Sequence, residues 1–251
     1  MKFDAAYEIL EGIPFISKTQ AKSLYDFILA RKPRRCLELG FAHGVSVCYM
    51  AAALDEIGEG HIDAVDLTMG QEWQDPAIET LLEQMGLSHL VTVVREELSY
   101  TWFLKKKIEE QTKDVRCEPL YDFCYIDGPK NWTVDGAAFF MVDKLLRKDG
   151  FILFDDMNWK YSEASEWSAQ KLEECGILVS KMSEDEKAEP HVPAIFRLLV
   201  MQHPDYSNFE IVDNNWGWAQ KTRASETKLS IKETAPFGTA LKRRLRRLLP
   251  G

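Results

Sequence analysis

Two stretches of this sequence place acids where chemistry could be done. Tyr125-Ile126-Asp127-Gly128-Pro129-Lys130 and Phe151-Ile152-Leu153-Phe154-Asp155-Asp156 are apolar runs that end in aspartate. If both runs are adjacent parallel strands, their carboxyl ends lie about 4.8 Å apart. Ligands of such sheets bind just outside those ends. Close carboxylates repel one another unless a proton or a cation sits between them. Hard oxygen donors with room for water suit Mg²⁺. The plainer reading is that Asp127 caps a turn, while Asp155 and Asp156 cap the following helix.

A second stretch could hold a ligand by its backbone. Cys36-Leu37-Glu38-Leu39-Gly40-Phe41-Ala42-His43-Gly44-Val45-Ser46 is an apolar strand that turns through two glycines into a helix. Glycine allows the sharp turn and a close approach of backbone to ligand. The helix N-terminus offers free N–H groups to a carboxylate, and the Ser46 hydroxyl could join them. The following strand ends in Asp66, placed to accept ribose hydroxyls. A phosphate loop would need Gly-Lys-Ser/Thr, and a dinucleotide site GxGxxG; neither is present. The alternative is a tight turn in which Asp66 caps a helix.

Positioning these groups requires alternating strands and helices. The pattern predicts helices over 18–30, 45–54, 77–85, 100–110, 134–146 and 162–174. Strands are predicted over 35–39, 62–66, 91–95, 123–127, 151–155, 194–202 and 209–213. Regular alternation implies a parallel sheet with right-handed crossovers. The last two strands would be joined by the short loop 203–206, which forces an antiparallel pair. The acidic stretch 183–190 reads as a mobile loop.

The segment ELGFAHGVS resembles the first cofactor motif of class I S-adenosylmethionine-dependent methyltransferases. The segment VDL, with Asp66, resembles their second motif. The resemblance extends over most of 33–220. It implies an α/β, Rossmann-like, seven-stranded, mostly parallel sheet with an antiparallel closing hairpin and helices on both faces. It also implies that Gly40, Ala42, Gly44 and Ser46 surround the methionine end of the cofactor. Glu38 would orient the loop, Asp66 would hold the ribose, and the adenine would lie near Glu96, Glu97 and Leu98. The pattern IDG…FDD resembles metal-dependent O-methyltransferases of the catechol and sugar types. In those, the positions matching Asp127, Asp155 and Asp156 bind one divalent ion. Asp156 matches the sugar type. Lys130 stands where the catechol type has its base, and Pro129 stands where the sugar type has an aspartate base. A lysine beside a bound cation has a lowered pKa and could take the proton from an acceptor hydroxyl, with Asp127 beside it.

The organisation expected is a helical segment over 1–32, the methyltransferase domain over 33–222 and an extension over 223–251. The sequence holds 251 residues with 45% apolar and 28% charged, an ordinary globular balance. No apolar run approaches the roughly 20 residues that cross a bilayer. The start reads as no signal peptide, so a cytoplasmic protein is expected. Cys36, Cys48, Cys117, Cys124 and Cys175 have no metal spacing and read as reduced thiols. Residues 241–251 hold five basic and no acidic residues, which leaves 26 basic and 40 acidic elsewhere, a net of −14. Such a body suits no nucleic acid. The tail places Leu241, Leu245, Leu248 and Leu249 on one helical face and the basic residues on the other. It reads as a peripheral contact with the inner membrane face, or as a segment that folds back on acidic patches.

The function expected is therefore Mg²⁺-assisted methyl transfer from S-adenosylmethionine to a hydroxyl of a small molecule or sugar. One alternative is a metal-free enzyme with Lys130 or His43 as base. Another is a non-catalytic cofactor-binding or scaffolding protein. Trp132, Trp159, Trp216 and Trp218 could wall an acceptor pocket or belong to the core.

Overall fold

A computed structural model describes residues 1–224. The basic tail over 241–249 lies outside the described residues, as does all but the start of the extension.

Seven strands form one sheet. They are β1 (Arg35–Leu39), β2 (His61–Leu67), β3 (Val91–Glu96), β4 (Tyr121–Ile126), β5 (Leu146–Phe154), β6 (Tyr206–Val212) and β7 (Trp216–Lys221). Their order across the sheet is β3-β2-β1-β4-β5-β7-β6. The first five are parallel, and β7 pairs antiparallel with both β5 and β6. The order reverses between β1 and β4, which opens a crevice at their carboxyl ends.

The strands alternate strictly between two apolar layers. Cys36, Ile62, Ala64, Phe123, Tyr125 and Leu153 face one layer. Leu37, Leu39, Val65, Cys124, Ile126, Ile152 and Phe154 face the other. A parallel sheet covered on both faces needs such two-sided hydrophobicity. On the first face lie α1 (Phe3–Leu10), α2 (Lys18–Arg31), α3 (Val45–Ile57) and α4 (Ile78–Met85). Every residue of α3 from Val45 to Leu54 is buried, because α3 packs between the sheet and the helices α1, α2 and α4. The second face carries α5 (Tyr100–Gln111), α6 (Trp132–Leu145) and α9 (His191–Ile195).

Between β5 and α9 the chain forms α7 (Glu166–Glu174) and α8 (Glu184–Ala188). The 183–190 stretch is therefore not a loop. Ser183 and Glu186 close a reciprocal capping box that nucleates α8. The helix expected over 162–174 begins at Glu166, after a 3₁₀ turn.

The late strands differ from the reading of the sequence. The 194–202 run is α9 followed by a wide helical turn, Phe196–Val200. Across α9 and this turn, Val192, Ile195, Phe196 and Val200 are buried at helical spacing. A short apolar run fits either element until its partner surface is known. The closing hairpin is present one element later, as β6 and β7. Asp213 and Asn214 in its turn both have φ of 52°, the left-handed pair that tight hairpins favour. Among the described residues, no helix is long and apolar enough to cross a membrane.

Candidate active site

The glycine loop is shaped by three left-handed residues: Gly40 (φ 86°), Ala42 (φ 48°) and Gly44 (φ 82°). A Cβ on Gly40 would lie 2.2 Å from the Asp127 carbonyl oxygen, so only glycine lets the ends of β1 and β4 meet. A Cβ on Gly44 would collide with Ile78 at 2.4 Å.

The loop is tied down by Asp66. Its Oδ2 accepts from the Ala42 N–H at 2.8 Å and the Phe41 N–H at 3.1 Å, and its Oδ1 accepts from the Leu67 N–H at 2.7 Å. Gln74 Nε2 also donates to Oδ2 at 3.3 Å, and Arg95 donates to Gln74 Oε1 at 2.6 Å. Burial raises the Asp66 carboxyl above its usual range, against the pull of these donors. Asp66 thus lines the cavity while its oxygens already serve the loop backbone.

Glu38 is fully buried, and the Ser46 hydroxyl donates to it. Burial pushes its carboxyl up to about 8, although Ser46 opposes the shift. Ser46 therefore turns inward to Glu38, and neither Ser46 nor Gly44 lines the main cavity.

Asp127 follows β4, and Asp155 and Asp156 follow β5, in the register that pairs Ile126 with Phe154. Carboxylate oxygens of all three come within 4.8 Å of one another. Asp155 is held at both oxygens. Tyr125 Oη donates to Oδ2 at 2.8 Å, while Asn215 Nδ2 and the Asp156 N–H donate to Oδ1 at 2.9 and 2.8 Å. Lys130 (φ 58°) curls back over the cluster. Its Nζ pairs with Asp127 and lies 3.3 Å from Asp156 Oδ2.

Burial holds the Asp127 carboxyl well above the usual range, with Lys130 pulling against it. Burial also raises Asp155. Burial disfavours the charged form of Lys130, but Asp127, Asp156 and Asp155 outweigh it and hold the amine above the ordinary lysine range. Without a further cation, Lys130 is thus an ammonium that bridges carboxylates, and not a free base.

The loop that bears Lys130 is anchored from behind. Asp135 accepts from Tyr100 Oη at one oxygen and from the Asn131 N–H at 2.7 Å at the other. Gly128 leaves room for this pair, since a Cβ there would meet Tyr100 Oη at 2.1 Å.

One cavity of about 420 Å³ joins the two regions. Gly40, Ala42 and Asp66 line one part, and Asp127, Lys130, Asp155 and Asp156 another. Leu98 lines it too. Glu97 does not; it is exposed and accepts from Thr68 Oγ1 at 3.1 Å. Glu96 is buried in an ion pair with Lys106 at 2.5 Å. His43 also lies outside this cavity, stacked on Phe15 with its Nδ1 3.3 Å from the Pro76 carbonyl oxygen.

Of the four tryptophans singled out, Trp159 lines the cavity. Trp218 stacks on Phe123, and Trp216 packs edge-on against Tyr125 in the core. Trp132 is exposed. The sequence reading missed Phe15, Trp73 and Trp167, which wall the cavity from three distant segments. Trp73 meets Trp167 edge-on at 5.6 Å. No spacing rule links such residues; a helical register for α7 would at most have aligned Trp167 and Lys171. Tyr125 and Asn215 were also missed. Tyr125 reads as core, and Asn215 was assigned to no element.

Residues 37–157 match a family model described as a methyltransferase domain. No curated protein matches the chain significantly. Among solved structures, the chain resembles an O-methyltransferase of Streptomyces achromogenes involved in tomaymycin synthesis, crystallised with S-adenosylmethionine. The two share 17% identity with a TM-score of 0.58, over 88% of this chain and 89% of that one. It also resembles an O-methyltransferase of Bacillus cereus in complex with S-adenosylhomocysteine, at 20% identity and a TM-score of 0.56, over 87% and 90%. A third is an S-adenosylhomocysteine-bound methyltransferase of Podospora anserina, at 16% identity and a TM-score of 0.57, over 87% of each chain. With the reversed strand order and the glycine loop, these matches show a methyltransferase domain over residues 37–157 within the fold of S-adenosylmethionine-dependent methyltransferases.

Proposed function

We propose that the chain transfers the methyl group of S-adenosylmethionine to a hydroxyl of a small molecule or sugar held against Asp127, Asp155 and Asp156. The carrying observation is that one cavity is lined by both the glycine loop and the acid cluster. Two of the structural neighbours described above are O-methyltransferases, which supports oxygen as the acceptor atom.

The donor sits along Gly40 and Ala42, near Asp66. The Asp66 carboxylate keeps the loop in the shape that receives it. Leu98 and the aromatic wall shield the sulfonium from water. The acceptor oxygen attacks the methyl carbon as the carbon–sulfur bond breaks, and the electron pair stays on sulfur. The protein aligns the two in line, which replaces a bimolecular encounter with a positioned one.

The cluster fits a divalent ion. Three hard oxygen donors lie within 4.8 Å, and Lys130 alone does not balance them. Asp127, Asp155 and Asp156 would hold Mg²⁺, which supplies positive charge that favours the deprotonated acceptor. That charge beside the carboxylates would push the Lys130 ammonium towards the neutral amine, and the amine receives the hydroxyl proton at Nζ.

A second reading dispenses with the ion, and the Lys130 bridge favours it. Lys130 stays charged between Asp127 and Asp156. Asp127, whose carboxyl burial has raised, takes the proton. The test is a screen of phenols, sugars and glycosides with S-adenosylmethionine, scored by S-adenosylhomocysteine release. Turnover lost with EDTA and restored by Mg²⁺ supports the first reading. Full turnover after exhaustive chelation rejects it in favour of the second.

A further inference from the structure

Asp155 is set by a residue sixty positions away. The turn between β6 and β7 presents Asn215, whose side chain donates to Asp155 Oδ1 at 2.9 Å. The Asn215 carbonyl accepts from the Met157 N–H, also at 2.9 Å. One residue therefore grips both ends of the Asp155-Asp156-Met157 bend. Between those grips Asp156 adopts φ 54°, a left-handed conformation that a non-glycine residue keeps only when its surroundings enforce it.

The surroundings match this role. Asp213 and Asn214 are themselves left-handed, so the turn presents Asn215 in one fixed direction. Gly217 brings β7 against the bend; a Cβ there would lie 2.9 Å from Met157 Sδ. The chemistry of the side chain matters as well. A neutral amide donates to a carboxylate without adding charge, whereas an acid at 215 would add a fourth carboxylate to the cluster. Tyr125 secures the other Asp155 oxygen. Asp127 and Asp156, by contrast, are joined through the long side chain of Lys130.

We infer that Asn215 is the positioning residue that presets Asp155 and the left-handed turn at Asp156, so that the cluster is assembled before any ligand arrives. The inference rests on the acid cluster's being the acceptor site. It does not need the cluster to hold a metal.

The experiment compares full-length wild type with Asn215→Ala, Asn215→Asp and Tyr125→Phe by three readouts. Mn²⁺ alone, followed by electron paramagnetic resonance, reports the cluster. Turnover against KM, on an acceptor found by screening, reports the reaction. Amide exchange of 155–158 in ligand-free protein reports the bend and needs neither ligand. Asn215→Ala should weaken Mn²⁺ binding and lower turnover roughly 10–100-fold, the usual effect of losing a group that orients a ligand residue. Exchange at 155–158 should quicken, while S-adenosylhomocysteine affinity and melting temperature stay near wild type. Asn215→Asp should be worse than Asn215→Ala. Tyr125→Phe should act in the same direction while keeping the ring that packs on Trp216 of the hairpin.

Unchanged exchange at 155–158 in Asn215→Ala would overturn the inference. So would a parallel loss of S-adenosylhomocysteine affinity, which would mark a general structural defect. Wild type that binds no Mn²⁺ but shows the exchange and turnover effects would remove the metal reading and leave Asn215 in its role. Normal exchange effects in a protein without any methyl transfer would fault the proposed function instead.

Discussion

Asp66 and the three aspartates of the cluster are all carboxylates at the carboxyl ends of strands of one sheet, yet they are held in different ways. Asp66 accepts from three backbone N–H groups and a glutamine amide. Its charge is matched by dipoles that the fold supplies whether or not a ligand is present. Asp127, Asp155 and Asp156 lie within 4.8 Å of one another with Lys130 as the ion-pair partner recorded for Asp127 and Asp156. The first arrangement is complete by itself. The second retains excess negative charge, and burial raises the carboxyls of Asp127 and Asp155. On the proposed function, the loop end keeps a shape and the acid end receives positive charge or a proton.

The sharpest way to break this contrast is to remove Asp155. Asp155→Ala takes away the carboxylate fixed by Tyr125 and Asn215. Turnover should fall by roughly 10²–10⁴-fold, the range for losing a group that acts on the reacting proton or its charge. S-adenosylhomocysteine affinity, measured by calorimetry, should change little. A matching loss of cofactor affinity would show that the two ends are not independent.

Lys130→Met should lower turnover about 10²-fold, through loss of the proton acceptor under the metal reading and of the charge that bridges Asp127 and Asp156 under the other. Under the metal reading, the pH–rate profile should also lose its limb from the Lys130 amine. A profile unchanged in shape would point to Asp127 as the base.

The loop end carries its own pH signature at Glu38. Its carboxyl is pushed up to about 8 by burial, from an ordinary 4.5. The native state therefore holds a proton that the unfolded chain releases. This stabilisation is complete below about pH 4.5 and is lost as pH rises towards 8. Glu38→Gln removes the titration, so the variant should gain on wild type between pH 5 and pH 8. The gain should be on the order of a few kcal/mol. Denaturant midpoints of both ligand-free proteins across that range measure it. A constant difference between the two would reject the raised carboxyl.

The smallest effect is expected at Asp66. Asp66→Ala leaves the Phe41 and Ala42 N–H groups without their partner, at a cost of ~1–3 kcal/mol in S-adenosylhomocysteine affinity. Unaltered affinity would mean that the loop keeps its shape without this acid.

The loop, the acids and most of the sheet could be read from residues 33–155 because each rests on local pattern. Gly40 and Gly44 mark a turn that other residues resist, and the apolar runs that end in Asp66, Asp127 and Asp155 are strands by composition alone. The 194–202 run failed for a physical reason. Val192, Ile195 and Phe196 are as apolar as a strand, and only their packing against α6 selects a helix. That error also hid the turn at 213–215, and with it Asn215.

The sequence by itself determined the parallel β–α order, the glycine turn, the three acids and the chemistry open to them. These follow from backbone sterics and hydrophobic period, which act within a few residues. Tertiary structure alone decided that Ser46 turns to Glu38 and that Asp66 holds the loop backbone. It also decided that Lys130 bridges two carboxylates, that Trp73 meets Trp167 across the cavity, and that Asn215 reaches Asp155. Each of these joins groups whose separation along the chain carries no signal, because side-chain hydrogen bonds and ring contacts depend on distance in space after the core has packed.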